Sequence, residues 1–311
     1  MPTSKWGESF LKSGLPLEHL AVMTLTEMGW QCYPSQEYSR PNREGKLEWF
    51  EIDLEADEPE FWERDVNLHL LVECKYHDPS RFWMMLPHEP GRWNIDDRCL
   101  NFAPFGILSS REESTLLKLA PASKRGVVVS RDGLRQDDAL YTAIQQVAHA
   151  FVPSVLQYCF SYLMNVLPGF FPSVNATIPV IVTNASLFRL RPSVTDLAMI
   201  RSAKDPHDVA DELPWTWCYF EPSMSLIEEQ RELINKHRED ESELLSRFPA
   251  AKERLSNLAS RPNWIAVINN AHLAGTIKAI REQFQKLETI PITRFVSDEN
   301  PAPQDLSPPT A

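Results

Sequence analysis

The chain has no P-loop, no dinucleotide-binding fingerprint and no methyltransferase-type glycine loop; its ten glycines are scattered through 311 residues. ATPase or helicase work, where the biology needs it, therefore belongs to another chain. No internal repeat is present. Cysteine is scarce: five, an odd and widely spaced set, build neither a disulfide framework nor a zinc pattern, which points to a reducing cytoplasm. Met1-Pro2-Thr3-Ser4-Lys5-Trp6 lacks the basic-then-apolar form of a signal peptide. Positive charge is short as well, with 31 Lys and Arg against 43 Asp and Glu, for a net charge of -12. The deficit is densest between Glu44 and Asp78, where twelve acidic residues face only Lys46, Arg64 and Lys75. Such a balance is awkward for a nucleic-acid enzyme, because phosphate contacts supply much of the affinity. A basic surface would have to come from elsewhere in the chain, from a second copy in a homodimer, or from a partner protein.

Formal charge is missing altogether from Ala139 to Phe188. A membrane span is the obvious reading of that gap, but Pro153, Gln157, Ser161, Asn165, Pro168 and Gly169 interrupt its most apolar part, and flanking Arg and Lys anchors are lacking. The pattern instead predicts a core helix, capped by Asp137 or Asp138, bent at Pro153 and ending in the low 160s. A buried strand, Ile178 to Asn184, follows it.

What is present is concentrated between Leu47 and Tyr76. Residues 47–56 read as a strand, alternating from Glu51 so that Glu51, Asp53 and Glu55 face one way and Ile52, Leu54 and Ala56 the other. Residues 66–76 form a second strand, nearly continuously apolar before it ends in Glu73, Cys74 and Lys75. A polar, Pro-broken stretch joins the two as a hairpin. Glu73 and Lys75 share a face and Cys74 points away; pairing of the strands brings Asp53 close to both. An Asp and a Glu at one point make a hard oxygen site suited to Mg²⁺, with Mn²⁺ able to substitute. A lysine beside such a metal positions or deprotonates the attacking water and stabilises charge on a phosphorane. The bland alternative is a solvated strand face with an ordinary Glu–Lys pair. Against it, the charges end a long apolar strand, where an unpaired carboxylate is expensive.

Asp53 followed by Glu73-Cys74-Lys75 resembles the signature of the PD-(D/E)XK nuclease superfamily, most of all its Mrr-type and type IV restriction branch. No Pro precedes Asp53, a departure shared by many members. The resemblance covers roughly the first eighty residues, with a later helix and strand matching loosely. It implies a core of helix, three-stranded meander, helix and strand, and Mg²⁺-dependent cleavage of nucleic acid. It also implies Asp53, Glu73 and Lys75 as catalytic residues, with Asp53, Glu73, the Cys74 carbonyl and Glu18 around the metal. Glu18 enters because the family's first helix often bears a glutamate there; its bland reading is a carboxylate stabilised at a helix N-terminus.

That helix is predicted over 15–29, from Pro16 to Gly29, with Leu17, Leu20, Ala21, Thr24, Leu25 and Met28 inward. A first meander strand, 30–38, carries Pro34 and so suits a sheet edge. The aromatics of 76–87 are expected in the core under a long loop and 88–126 as irregular chain; Arg81, Arg92, Lys124 and Arg125 are the foremost candidate phosphate contacts. Short strands are expected at 126–130, 215–220 and 264–270, and a helix at 271–287. A charged amphipathic helical arm spans about 223–260. The fold expected is one α/β domain over 1–296, a mixed central sheet led by the meander and flanked by helices on both faces, then a disordered tail at 297–311. The function expected is metal-dependent DNA endonuclease activity of restriction or defence type. Two alternatives are an RNA-cleaving nuclease and a catalytically inactive nuclease-fold scaffold.

Overall fold

The computed structural model describes residues 5–41, 46–59, 66–88, 116–130, 135–136, 139–165, 174–247, 255 and 258–286. Two N-terminal helices, α1 (Lys5–Lys12) and α2 (Leu15–Glu27), lead into the meander. Gly14 and Gly29, both at φ 86°, bracket α2; the left-handed region favours glycine at such turns. The meander is β1 (Gln31–Pro41), β2 (Leu47–Asp57) and β3 (Val66–Lys75), antiparallel throughout. The chain continues through β4 (Arg81–Pro87), β5 (Ala122–Ser130), β6 (Arg135–Gln136) and the long helix α3 (Ala139–Asn165). Next come β7 (Val174–Thr183), β8 (Ser186–Leu190), α4 (Leu197–Ser202), β9 (Ala210–Leu213) and β10 (Trp215–Tyr219). Helices α5 (Met224–Asp240) and α6 (Ser242–Ser246), strand β11 (Trp264–Asn269) and helix α7 (Leu273–Gln285) complete it.

One mixed sheet runs β1-β2-β3-β7-β11-β10-β5-β4-β8-β9, with β6 paired to β5. Strand β7 lies parallel to β3 over all ten residues, from Val66↔Val174 to Lys75↔Thr183. Parallel strands are buried on both faces, and the apolar runs of β3 and β7 follow from that. The same two chain segments then meet again. Five residues link β3 to β4 and two link β7 to β8, and β4 pairs in parallel with β8 from Phe82↔Ser186. Five residues reach at most about 20 Å, too short to span five strand spacings of ~4.8 Å in a flat sheet and regain the starting end. The sheet therefore curls, and the chain turns a corner between β3 and β4, just past Lys75.

Two cores fill the two faces. On one, α3 packs against Leu71, Trp83, Ile181 and Val267, with α5 outside it. On the other, α2 and α7 cover Leu54, Leu70, Val72, Val182 and Ile268. Helix α3 carries no charge because it is enclosed on nearly all sides. No helix among the described residues is long and apolar enough to cross a membrane.

Several expectations are corrected. Residues 81–87 form a strand inside the sheet rather than a loop, and burial of Phe82, Trp83 and Met85 is supplied by strand packing. The strand expected at 126 begins at Ala122, since Ser123 already pairs with Cys218 of β10. Leu20 is 50 % exposed: α2 lies along the margin of the sheet, and only the narrow line of Leu17, Ala21 and Leu25 is fully covered. Helix α5 packs against α3. Leu226, Gln230 and Ile234 are buried, and Gln230 Nε2 donates to the Ala148 carbonyl of α3 at 3.0 Å. Pro34 does lie on an edge strand, β1. Arg92 and the tail at 297–311 fall outside the described residues.

Candidate functional site

Asp53 and Glu73 lie just beyond the point where the β2–β3 ladder stops. Its last pair is Leu54↔Val72. One step further the backbone pairing gives way, and the Cys74 N–H donates instead to Asp53 Oδ2 at 2.6 Å. Across β2, the β1 ladder registers Pro34 with Leu54 and Gln36 with Ile52, passing over Ser35, whose φ is 55°. The strict alternation expected for β2 also breaks here. Ile52 joins the core on the α3 side, whereas Leu54 and Ala56 join the core on the α2 side. The strand changes face at Asp53, freeing its carboxylate to turn toward the end of β3.

On β3, Glu73 is 1 % exposed, and its Oε1 accepts a hydrogen bond from Lys75 Nζ at 2.5 Å. Its other oxygen, Oε2, is buried with no hydrogen-bond partner. Cys74 points into the α2-side core, as the alternation of β3 predicts. Glu18 of α2, half-buried, belongs to the same electrostatic neighbourhood. Burial, then Asp53 and Glu51, raise its pKa, with Lys75 opposing. Burial chiefly raises Asp53 also, against the Cys74 N–H bond and Lys75. Glu73 is pushed up to about 7, by burial first and then by Asp53, with Lys75 opposing and Glu18 adding to the rise. Asp53 and Glu18 thus disfavour the ionisation of Glu73 beside a single ammonium, and burial keeps water from compensating at Glu73.

This donor set fits a hard divalent cation. An unpartnered buried carboxylate oxygen costs free energy, and Glu73 Oε2 is such an atom beside two further carboxylates. Oxygen donors of this kind suit Mg²⁺ or Mn²⁺. Among the described residues, no three His, Cys, Asp or Glu side chains are already drawn together as a metal-holding group; the carboxylates stand as electrostatic neighbours.

Of the expected phosphate contacts, Arg81 begins β4 at the corner, close enough to His77 to lower its pKa. Lys124 and Arg125 do not join it. Arg125 pairs with Leu86 at the far end of the β4–β5 ladder, five residues from the Arg81↔Ser130 pair. Burial, Arg81 and Lys75 hold His77 down to about 4, so it is neutral near pH 7.

Two features carry no sequence signal, because they join residues far apart in the chain. Asn184, between β7 and β8, donates through Nδ2 to the His77 carbonyl at 2.7 Å. Its Oδ1 accepts from the His77 N–H at 2.6 Å. The side chain acts as a strand backbone would and pins the segment that follows Lys75. The second feature is an Asp57–His69–Ser154 line: His69 Nδ1 lies 2.9 Å from Asp57 Oδ1, and Ser154 Oγ lies 3.3 Å from His69 Nε2. The spacing is that of a hydrolytic triad. All three residues are buried, and Tyr158 donates to Asp57 Oδ2 at 3.3 Å. Enclosed between α3 and the meander, the serine has no substrate approach, and the line ties helix to sheet.

Comparison of the chain with protein-family models, with curated proteins and with solved structures finds no match to any of them.

Proposed function

We propose that the chain is a divalent-metal-dependent endonuclease of the PD-(D/E)XK kind, hydrolysing DNA phosphodiester bonds in a restriction or defence setting. The observation that carries this reading is Glu73: buried, bonded to Lys75 through one oxygen and without a partner on the other, beside an Asp53 tied to the Cys74 amide. The order of elements adds support. Helix α2, the meander, helix α3 and then β7 parallel to β3 follow the arrangement that the resemblance implies. The defence setting rests on the resemblance alone.

Asp53 and Glu73 would hold the metal, with the Cys74 carbonyl and Glu18 as further oxygen donors. Mg²⁺, when bound, supplies Lewis acidity toward the phosphate and a more acidic water. Lys75 reaches the surface with 24 % of its side chain exposed, while Glu73 stays buried beneath it. Its ammonium can orient the attacking water and donate to the oxygen on which charge builds. Asp53 is held by its amide contact, so little reorganisation is needed when substrate arrives. Arg81, at the start of β4, would meet a flanking phosphate.

The test is incubation of the purified chain with supercoiled plasmid and with single-stranded RNA, in Mg²⁺, Mn²⁺ or chelator, alongside Asp53→Ala. Metal-dependent nicking lost in the variant supports the reading. Cleavage of RNA alone moves the substrate, and no cleavage of either nucleic acid in any metal favours an inactive scaffold.

A further inference from the structure

A cleft of about 1210 Å³ opens where β5, α3, the start of α5 and the approach to β11 meet. Lys124, Arg125 and Arg261 line it against one acid, Glu221, with the rings of Tyr141 and Tyr219. In a chain of net charge -12, a lining with three cations to one acid is a marked local reversal. Among the described residues, neither Lys124 nor Arg125 is matched by an ion pair. Arg261 is braced by a bond from Nη1 to Asn263 Oδ1. Tyr141 is 62 % exposed, leaving a ring face uncovered. Tyr219 is fixed by stacking on His88, with centroids 4.8 Å apart and planes at 7°.

The cleft is remote from the carboxylates. Tyr219 pairs with Trp264 at the start of β11, whereas Asn269, at its end, is in register with Thr183 and so with Lys75. The length of β11 alone is roughly 16 Å at ~3.3 Å per residue. A small ligand bound there does not touch Asp53 or Glu73.

We infer that this cleft is a second, non-catalytic site that takes a nucleoside phosphate, its phosphates on Lys124, Arg125 and Arg261 and its base against Tyr141. Guanidinium and ammonium groups recognise phosphate by charge-assisted hydrogen bonds, and a flat base gains from stacking on an exposed ring. The volume exceeds the usual range of small-ligand pockets, ~300–1,000 Å³, which leaves room for the base and several phosphates together. The phosphate could equally terminate a nucleic-acid strand, and the experiment separates the two sources.

The inference stands apart from the nuclease reading, so it is tested in chelator, where no metal-dependent chemistry runs. Calorimetric titration of the full chain with ATP, inorganic tripolyphosphate, adenosine and a single-stranded oligonucleotide is the measurement. Saturable ATP binding is expected, weakening with salt, unchanged in Asp53→Ala and reduced roughly tenfold or more in the exposed pair Lys124→Glu/Arg125→Glu. Tyr141→Ala should weaken ATP severalfold and leave tripolyphosphate unaffected. Absence of saturable ATP binding at millimolar concentration overturns the inference, as does equal affinity in the charge-reversed protein. An oligonucleotide that binds more tightly than ATP through the same two residues overturns the free-nucleotide assignment.

Discussion

Replacing Glu73 by Gln should make the metal-free protein more stable in mild alkali and leave it nearly unchanged in acid. The side chain is 1 % exposed, and its pKa is raised from 4.5 to about 7 by burial and by Asp53. A group whose pKa is raised by folding contributes stability that is complete below its unfolded value and is lost as pH climbs through the folded one. The window is therefore pH 4.5 to about 7. At about 1.4 kcal/mol per pH unit, the full span corresponds to ~3 kcal/mol of stability forfeited by the ionised carboxylate. Gln is isosteric and uncharged, so it escapes that loss, although it gives up the charge on its bond to Lys75. Urea unfolding of both proteins in chelator, at intervals from pH 4.5 to 8, gives the difference directly. The gap should open with pH in favour of Gln, toward ~3 kcal/mol. Saturating Mg²⁺ should reverse the order at pH 8, since wild type alone keeps the full ligand set, and a ligand at a thousand times its dissociation constant adds about 4.1 kcal/mol. A difference that stays flat across the range would refute the picture of a buried, strained acid awaiting a cation.

The remaining outcomes follow from the same geometry. Asp53→Ala and Lys75→Ala should each lower Mg²⁺-dependent nicking on the order of 10²-fold or more with circular dichroism unchanged; undiminished nicking by both would dismiss the mechanism. Glu18→Gln should raise the Mg²⁺ concentration giving half-maximal rate, and an unmoved metal dependence would leave Glu18 a structural helix residue. Asn184→Ala removes two hydrogen bonds to the His77 backbone and should cost about 1–3 kcal/mol in chemical denaturation, with nicking slowed because the segment after Lys75 loosens. The isolated chain should bind duplex DNA weakly, with a shallow salt slope; steep, tight binding by a species that light scattering shows to be monomeric would contradict that.

The meander, α2, α3, β7, β10 and β11 were all legible because each carries its own apolar period within ten to thirty residues. So was the pairing of β2 with β3, which sets Asp53 against the Cys74 amide next to Glu73 and Lys75. What escaped depends on contacts between distant segments. Phe82 to Leu86 contains both aromatics and methionines, and nothing in that run says whether a loop or two flanking strands, β5 and β8, will bury them. The change of face at Asp53 falls opposite Ser35, which the ladder passes over with φ 55°. Lys124 and Arg125 looked interchangeable with Arg81 as phosphate contacts; only the antiparallel register of β4 and β5 separates them. His69 drew no notice, because Ser154 lies 85 residues away.

The corner beyond Lys75 also determines where the chain tolerates a change of length. Between β7 and β8 stand only Asn184 and Ala185, with ten ladder pairs on one side and four on the other. An extra residue there would turn Leu187 and Phe188, both buried now, to the opposite faces of their strand. On the other path His77 is pinned, but Pro79 and Ser80 that follow are exposed. Insertions made at Pro79 or Ser80 meet solvent and leave both ladders in register. The scaffold thus keeps one rail of fixed gauge and leaves slack in the other. That slack begins four residues past Lys75, so a longer or differently shaped loop could be grafted beside the carboxylates without re-threading the sheet.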